Sequence, residues 1–163
     1  MLIRPIKTED AEDMNRMRVM NGVRENILGM ASERISDTEA FIHALSPNDH
    51  LLVAEVNGIV VGCVGLQVSP RPRTRHTAGL GIMVHADYQK QGIGKALMSA
   101  ILDLADNWLK LKRIELSVFI ENKTAIAMYR NMGFVVEGTK KYAAVRGGKY
   151  ADEYLMARYR IEA

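Results

Sequence analysis

The sequence predicts a protein of the α/β (α+β) class, in which helices pack on a mixed sheet. Apolar stretches of strand length alternate with stretches of helical periodicity along the chain. A run of strands fills the middle of the chain, and a strand pair closes it. The composition is that of a chain with a packed core, because 48% of the 163 residues are hydrophobic and 25% are charged.

The first third of the chain predicts one strand and two helices. The strand is "MLIRPI", which is short and apolar. We expect the first helix to begin at Thr8, an N-cap residue type that acidic residues follow. We expect the second helix in "SDTEAFIHAL", where Ser36 and Glu39 have the spacing of a capping box. The stretch between the two helices is irregular.

Three strands are expected in the middle of the chain. Asn57-Gly58 separates two apolar stretches in "HLLVAEVNGIVVGCVGLQV", which is a strong hairpin pattern. A basic loop then leads to a fourth strand, "TAGLGIMV". The glycines of that strand, Gly79 and Gly81, predict a bulge or a close approach of another backbone.

The last third predicts a helix, a strand and a second helix, followed by a closing hairpin. The first of these helices spans "KALMSAILDLADNWLK", and its apolar face extends to Trp108. The strand is "RIELSVFI". A short helix begins at Asn122 and should stop at Gly133. Gly147-Gly148 marks the turn of the final hairpin.

Charge and composition exclude several classes of protein. The net charge of +3 comes from dispersed basic residues and only 6% of residues are aromatic, so we expect no nucleic-acid partner. No apolar run approaches the ~20 residues of a membrane span, and the first residues lack the layout of a signal peptide. The single cysteine, Cys63, excludes a disulfide framework and a Cys-rich metal site. We therefore expect a cytoplasmic protein without a metal or a membrane partner.

The stretch "YQKQGIGKALM" places Gly92 and Gly94 where a helix begins. Free N–H groups and the positive end of the helix dipole make a helix N-terminus a binding site for phosphate. Glycine lets a phosphate approach the backbone because it has no Cβ, and Lys90 and Lys95 add positive charge. The stretch lacks the first glycine and the Ser or Thr of a P-loop, and it lacks the third small residue of a Rossmann fingerprint.

Two motifs together indicate a family. "QKQGIG" has the pattern Gln-x-x-Gly-x-Gly between a strand and a helix. "NKTAIAMYRNMGF" follows with the pattern Asn-x-x-Ala-x-x-x-Tyr-x-x-x-Gly-Phe, which begins at Asn122 and includes Tyr129. In this order the pair resembles the GNAT superfamily of acetyl-CoA-dependent N-acetyltransferases, over essentially the whole chain. Shorter stretches, among them "RIELSVFIEN" and "KYADEYLMAR", resemble the YhhY-type bacterial amino-acid N-acetyltransferases.

The resemblance implies one N-acetyltransferase domain over residues 1–163, with helices on both faces of a mostly antiparallel sheet of about seven strands. Strands four and five would splay apart, and the pantetheine arm of acetyl-CoA would lie between them like an added strand. The pyrophosphate would lie on the glycine-containing turn, and the Val84 N–H would hold the carbonyl oxygen. The implied coenzyme-binding residues are Ile82, Met83, Val84, Gln89, Gln91, Gly92, Ile93, Gly94, Lys95 and Asn122.

The resemblance also implies a catalytic role for Tyr129, as the acid that protonates the departing thiolate. A phenol with a pKa of about 10 is protonated at neutral pH and can donate. The alternative is that Tyr129 only holds its helix against the sheet. Glu115, His76 and His85 are candidates for a general base, and none of them is selected. Cys63 lies in an apolar strand without a nearby histidine, which predicts an inert thiol.

The expected acceptor is a small-molecule amine, the free α-amine of a small apolar or aromatic amino acid. Arg71, Arg73 and Arg75 could bind its carboxylate or a coenzyme phosphate, or they could form a solvated loop. Tyr142 and Tyr150 could line the acceptor pocket or form the contact of a homodimer. A polyamine, an antibiotic amine, a protein N-terminus and a non-catalytic CoA-binding sensor remain the alternatives.

Overall fold

The computed structural model describes residues 1–160, which contain seven strands. They are β1 (Leu2–Pro5), β2 (Asp49–Val56), β3 (Ile59–Val68), β4 (Thr77–Val84), β5 (Arg113–Phe119), β6 (Val135–Arg146) and β7 (Lys149–Tyr159). They form one sheet in the order β1-β2-β3-β4-β5-β7-β6. Neighbouring strands are antiparallel except for β4 and β5, which are parallel. The predicted mixed and mostly antiparallel sheet is confirmed.

Helices cover both faces of the sheet. On one face, Met14 and Met17 pack with Cys63 in a small core. On the opposite face, Leu97 and Ile126 belong to a larger core. No helix of residues 1–160 is long and apolar enough to cross a membrane. The α-helices of this part of the chain are α1 (Ala11–Val19), α2 (Arg24–Ile27), α3 (Ile35–His43), α4 (Ile93–Asp103) and α5 (Lys123–Asn131).

The first helix does not have the predicted cap. A short 3₁₀ turn, Thr8–Asp10, precedes α1, and the Thr8 hydroxyl caps neither element. Instead, the Asp10 carboxylate accepts the Lys7 N–H at 2.7 Å and pairs with Arg4 at 2.8 Å. A carboxylate at a helix N-terminus also interacts favourably with the helix dipole. The N-cap predicted at Thr8 is therefore wrong: Lys7 is the N-cap residue of the 3₁₀ turn, and the Asp10 carboxylate bonds back to it.

The start of α3 also differs from its prediction. The helix begins at Ile35, so Ser36 lies inside the first turn. The Asp37 carboxylate accepts the N–H of Arg34, the N-cap residue, at 2.9 Å. The capping box predicted for Ser36 and Glu39 is wrong, because an aspartate three residues after Arg34 supplies the carboxylate that such a box requires.

α4 continues as one π-helical turn, Leu104–Trp108. The Leu109 N–H bonds to the Leu104 carbonyl at 3.0 Å, which is a five-residue step. Trp108, at the end of this wider turn, is 77% exposed, although Leu97 and Ile101 are fully buried. The apolar face predicted to reach Trp108 is wrong for this last turn.

The turns predicted from glycine are present. Asn57 and Gly58 have φ values of 51° and 80°, and Gly147 and Gly148 have φ values of 59° and 78°. Positive φ at both central residues is the signature of the type I′ hairpin turn. Gly133 follows the end of α5 with a φ of 95°, as a helix stop requires. Both hairpins and the end of the last helix are confirmed.

The parallel pair β4–β5 separates soon after it begins. Its last paired residues are Gly79 and Glu115. β4 stays paired with β3 as far as Val84, and β5 stays paired with β7 as far as Phe119. Each strand therefore keeps one partner while a gap opens on its other side, and the predicted splay of strands four and five is confirmed. Of the two alternatives predicted from Gly79 and Gly81, the bulge is wrong, since β4 pairs with β3 without a register shift, and the close approach of another backbone stays a prediction.

An ion pair holds the ends of α4 and α5 against β7. The two terminal nitrogens of Arg158 donate to Asp106 at 2.8 Å each, and its Nε donates to the Met132 carbonyl at 3.1 Å. The Arg158 and Asp106 side chains are only 21% and 19% exposed. Asp106 lies in the π-helical turn and Met132 follows α5, so one arginine fixes both helices.

We expect Asp106→Asn to lower the free energy of unfolding by about 1–3 kcal/mol at neutral pH, because Arg158 loses a charged acceptor. The hydrogen bonds from Arg158 lower the pKa of Asp106 in the folded chain. The stabilisation is therefore present above the unfolded pKa and is lost as the pH falls through the folded pKa. The difference between the variant and the wild type should shrink below about pH 4.

Urea denaturation at neutral pH and near pH 3 measures both effects. Asp103→Asn is the matched control and should change the stability little, because within residues 1–160 exposed Asp103 accepts a side-chain hydrogen bond only from Asn107. Equal destabilisation by Asp106→Asn at both pH values would contradict a role for the ionised carboxylate.

Candidate active site

The gap between β4 and β5 widens into a cavity of about 1020 Å³. Residues from both faces of the sheet line it, because Ile82 packs with the core under α4 and Met83 with the core under α1. The cavity therefore passes through the sheet. Its part beside α4 and α5 is named the α4 half, and its part beside α1 is named the α1 half.

Most of the residues predicted to bind the coenzyme meet at this cavity. Of the ten, all but Gln91 and Ile93 line it, and Tyr129 lines it too. The Ile93 side chain is only 5% exposed and belongs to the core, while Gln91 is exposed. Ile93 can act on a ligand only through its backbone N–H group, while the exposed Gln91 side chain donates to the Asp87 carbonyl at 3.3 Å.

The start of α4 is built to bind an anion. Gly92, the N-cap residue, has a φ of 85°, a left-handed conformation that glycine adopts without strain. The first hydrogen bond of the helix runs from the Ala96 N–H to the Gly92 carbonyl at 3.0 Å. The N–H groups of the three residues between them therefore have no partner within the helix. Lys90 and Lys95 line the cavity beside them, so this turn offers both backbone donors and positive charge.

The edge of β4 that faces the gap offers backbone groups at alternate residues. The His85 N–H bonds to the Val61 carbonyl of β3 at 2.8 Å. Successive residues of an antiparallel strand direct their backbone groups to opposite edges. The backbone groups of Ile82 and Val84 therefore face the gap, whereas those of Met83 face β3. Met83 reaches the cavity through its side chain.

The Gln89 side chain braces the turn before α4. Its Nε2 donates to the Val84 carbonyl at 3.0 Å and to the Gly22 carbonyl at 3.2 Å. The Val84 carbonyl is thus engaged, while the Val84 N–H stays directed into the gap. The bond to Gly22 joins this turn to the segment between α1 and α2.

α5 contributes an N-cap residue and a buried phenol to the α4 half. The Asn122 Oδ1 accepts the Ala125 N–H at 3.3 Å, which leaves its Nδ2 as a donor for the cavity. Tyr129 is 7% exposed, and its ring lies against Phe134 with 5.7 Å between the centroids. Burial raises the pKa of Tyr129 to about 12, so the phenol is protonated at neutral pH and is a hydrogen-bond donor.

In the α1 half, glycines form part of the sheet surface, and several polar side chains line the cavity. A Cβ at Gly79 or Gly81 would meet no atom within 4 Å, so these residues leave open space above the sheet. Phe41 of α3 and the segment between α1 and α2 line the opposite side. The polar side chains of this half are Arg18, Asn26, Gln67, Glu115, Ser117, Lys140 and Glu153.

The candidate bases and the thiol are poorly placed for catalysis. Glu115 lines the cavity but pairs with Arg113 at 2.9 Å, and neither His76 nor His85 lines it. Cys63 is 6% exposed, and burial raises its pKa to about 12, which confirms an inert thiol. Residues 1–160 contain no cluster of three side chains suited to hold a metal ion.

The arginine loop and the tyrosines of the closing hairpin lie outside the cavity. Arg71, Arg73 and Arg75 are exposed and precede β4, whereas the phosphate-binding turn follows it. The length of β4, about 23 Å at 3.3 Å per residue, separates the two ends. The three arginines do not line the cavity and are exposed, as expected of a solvated loop, and their roles in binding a carboxylate or a phosphate stay predictions. Tyr142 and Tyr150 are 77% and 74% exposed and do not line the acceptor side.

Most residues of the α1 half were not predicted from the sequence. Arg18, Phe41, Gln67, Lys140 and Glu153 come from five different helices and strands and form no motif. Lys140 of β6 lies opposite Glu153 of β7 in a strand register that has two irregularities. Such a register cannot be derived from residue spacing alone.

The chain belongs to the Acetyltransferase (GNAT) family, whose sequence pattern matches residues 14–134. It is accordingly an acetyltransferase, and the predicted class of enzyme is confirmed. It is 38% identical to the L-amino acid N-acetyltransferase AaaT of Escherichia coli K12, over 96% of each chain.

Solved structures show the same fold. A GNAT acetyltransferase of Streptococcus pneumoniae matches with a TM-score of 0.84 and 27% identity, covering 97% of this chain and 98% of that one. The yncA protein of Salmonella typhimurium, solved with its cofactor acetyl-CoA, matches with a TM-score of 0.86 and 21% identity, covering 100% and 95%. The predicted GNAT-like arrangement is therefore confirmed.

We expect Gly92→Val to weaken acetyl-CoA binding at least tenfold, or about 1.4 kcal/mol. A β-branched residue adopts a φ of 85° only with strain, and its side chain would stand before the free N–H groups. Isothermal titration calorimetry with acetyl-CoA measures the change. Gly58→Val is the matched control, since Gly58 has a φ of 80° and equally open surroundings but lies in the β2–β3 turn. Unchanged affinity in a folded Gly92→Val variant would contradict the assignment.

Proposed function

We propose that this acetyltransferase moves the acetyl group of acetyl-CoA directly to the α-amine of a small apolar or aromatic amino acid. One observation carries the proposal: a continuous cavity joins the helix mouth at Gly92 and the phenol of Tyr129 to a pocket on the other face of the sheet. Two substrates can therefore meet from opposite faces. The 38% identity with an L-amino acid N-acetyltransferase supports this acceptor.

The residues of the α4 half fit acetyl-CoA. The left-handed Gly92 and the free N–H groups after it fit a pyrophosphate. The backbone groups of Ile82 and Val84 that face the gap fit the amide-rich pantetheine arm, as they would fit an added strand. Acetyl-CoA supplies the reactive thioester when it is bound. The proposed coenzyme-binding residues are Ile82, Met83, Val84, Gln89, Gln91, Gly92, Ile93, Gly94, Lys95 and Asn122.

Two groups of the chain act on the reacting atoms. The Val84 N–H faces the gap and can donate to the carbonyl oxygen while negative charge develops on it. The Tyr129 hydroxyl can donate to the sulfur that leaves, and Tyr129 is the proposed catalytic residue. Because its pKa is raised to about 12, the phenol is protonated at neutral pH and can donate a hydrogen bond to that sulfur.

The amine needs no dedicated base in this proposal. The α-amine of a peptide has a reference pKa of about 7.7–8.0. The adjacent carboxylate raises the pKa of a free amino acid's α-amine above this range, so the neutral form is a minor fraction near pH 7 that grows as the pH rises. Glu115 is held by Arg113, and His76 and His85 lie outside the cavity. Water in the α1 half can take the proton that the attacking amine releases.

Other acceptors fit the α1 half less well. A polyamine is best bound by several free carboxylates, whereas only two carboxylates of residues 1–160 line the cavity and one of them, Glu115, is paired with Arg113. A CoA-binding sensor would have no need for the buried phenol of Tyr129 at the gap. An antibiotic amine and a protein N-terminus remain alternative acceptors. The homodimer and the cytoplasmic location stay predictions.

We expect Tyr129→Phe to lower kcat by about 10²–10⁴-fold with little change in acetyl-CoA affinity. The ring and its contact with Phe134 remain, so only the donor is lost. Stopped-flow and steady-state kinetics, with calorimetry for the affinity, measure the two quantities. Tyr154→Phe is the control, because Tyr154 packs beside the same core without lining the cavity. Full kcat in Tyr129→Phe, where chemistry limits the rate, would leave Tyr129 a structural residue.

We expect free methionine or phenylalanine to be acetylated with a higher kcat/KM than spermidine. Amino-acid amides should react less well than the free acids if the carboxylate is bound. The rate should rise with pH through about pH 7–9, because only the neutral amine attacks. Steady-state kinetics with free acids, amides and spermidine decides the question. A clear preference for spermidine or for a peptide N-terminus would overturn the acceptor and leave the acetyl transfer intact.

A further inference from the structure

We infer that Lys140 binds the α-carboxylate of the acceptor and thereby selects free amino acids over other amines. The inference rests on the proposed function and goes beyond it, because it assigns the group that recognises the substrate class. Lys140 belongs to β6, and it was not part of either motif that indicated the family.

Lys140 reaches the gap through Ser117. Its Nζ donates to the Ser117 Oγ at 2.9 Å. Ser117 lies on β5 two residues after Glu115, the last residue of β5 that pairs with β4, so it borders the open gap. Side chains alternate along a strand, which places Ser117 on the same face as Glu115, in the α1 half. The ammonium group thus lies beside the gap in the α1 half, the side from which the acceptor enters in the proposed function.

Lys140 is the cation of the α1 half that no carboxylate neutralises. Arg18 also lines this half, but its guanidinium makes two hydrogen bonds to Glu33, at 2.7 and 3.1 Å. Glu153 lies opposite Lys140 in the β6–β7 register. Nevertheless, no carboxylate of residues 1–160 lies within 4.0 Å of the Lys140 Nζ, which binds a neutral hydroxyl instead.

The chemistry of an amino acid fits this position. Its carboxylate is separated from its α-amine by one carbon, so a group that binds the carboxylate must stand close to the point of attack. An ammonium group on a flexible stem has three donors and can keep its bond to Ser117 while it binds a carboxylate oxygen. The same charge repels the second ammonium group of a polyamine.

The test compares L-methionine with L-methionine amide in the wild type and in Lys140→Met. We expect kcat/KM for methionine to fall about 10- to 100-fold in the variant, mainly through KM, while the value for the amide stays within about threefold. Lys140→Arg should recover part of the loss. Acetyl-CoA affinity should not change. Lys141→Met is the matched control, because neighbouring Lys141 is 75% exposed, pairs with Asp152 and does not line the cavity.

The outcomes separate this inference from the proposed function. If the wild type acetylates methionine and Lys140→Met keeps the wild-type ratio of acid to amide, Lys140 is not the anchor and the proposed function stands. An equal loss for acid and amide would also overturn the inference, since it shows a structural role. If the wild type acetylates neither compound but does acetylate another amine, the proposed acceptor fails and the anchor fails with it.

Discussion

The site depends on one constraint: the parallel pairing of β4 and β5 stops after Gly79 and Glu115. Each strand remains fully paired on its other edge, so the sheet stays intact around the gap. The gap-facing N–H and C=O groups of β4 then have no strand partner beyond this point. Unpaired backbone groups at a strand edge are strong hydrogen-bonding sites. A ligand with amide groups can form hydrogen bonds with them. The binding site thus results from the incomplete pairing of β4 with β5.

Because side chains alternate along a strand, the two halves of the cavity are lined by different residues of the same strands. Residues such as Ile82 face α4 and α5, where the anion-binding turn and the phenol are. Their neighbours, such as Gly81 and Ser117, face α1 and form the pocket for a second substrate. Because the period of a strand is two residues, a single pair of strands serves two chemically different pockets. The arginine of the Arg158–Asp106 pair keeps α4 and α5 in place around the first of them.

The sequence was sufficient for the parts of the molecule that depend on local residue types. Asn57-Gly58, Gly92 and Gly133 each require a backbone conformation that other residues avoid, so the hairpin, the helix mouth and the helix stop could be predicted. The helix caps could not, because several acceptors lie within one turn and the chain uses Asp10 and Asp37. The α1 half could not be predicted either. Its residues become neighbours only through strand register and helix placement, which local spacing does not encode.

The burial of Cys63 affects how acetyl transfer can be measured with a thiol reagent. It is the only cysteine of the chain, and a thiol with a pKa of about 12 contains almost no thiolate at neutral pH. Thiolate is the form that attacks disulfide reagents. A colorimetric disulfide added to a working mixture therefore reacts with the free coenzyme released at each turnover and leaves the folded enzyme untouched. Cys63 therefore adds no background signal, and the absorbance measures the coenzyme released by acetyl transfer.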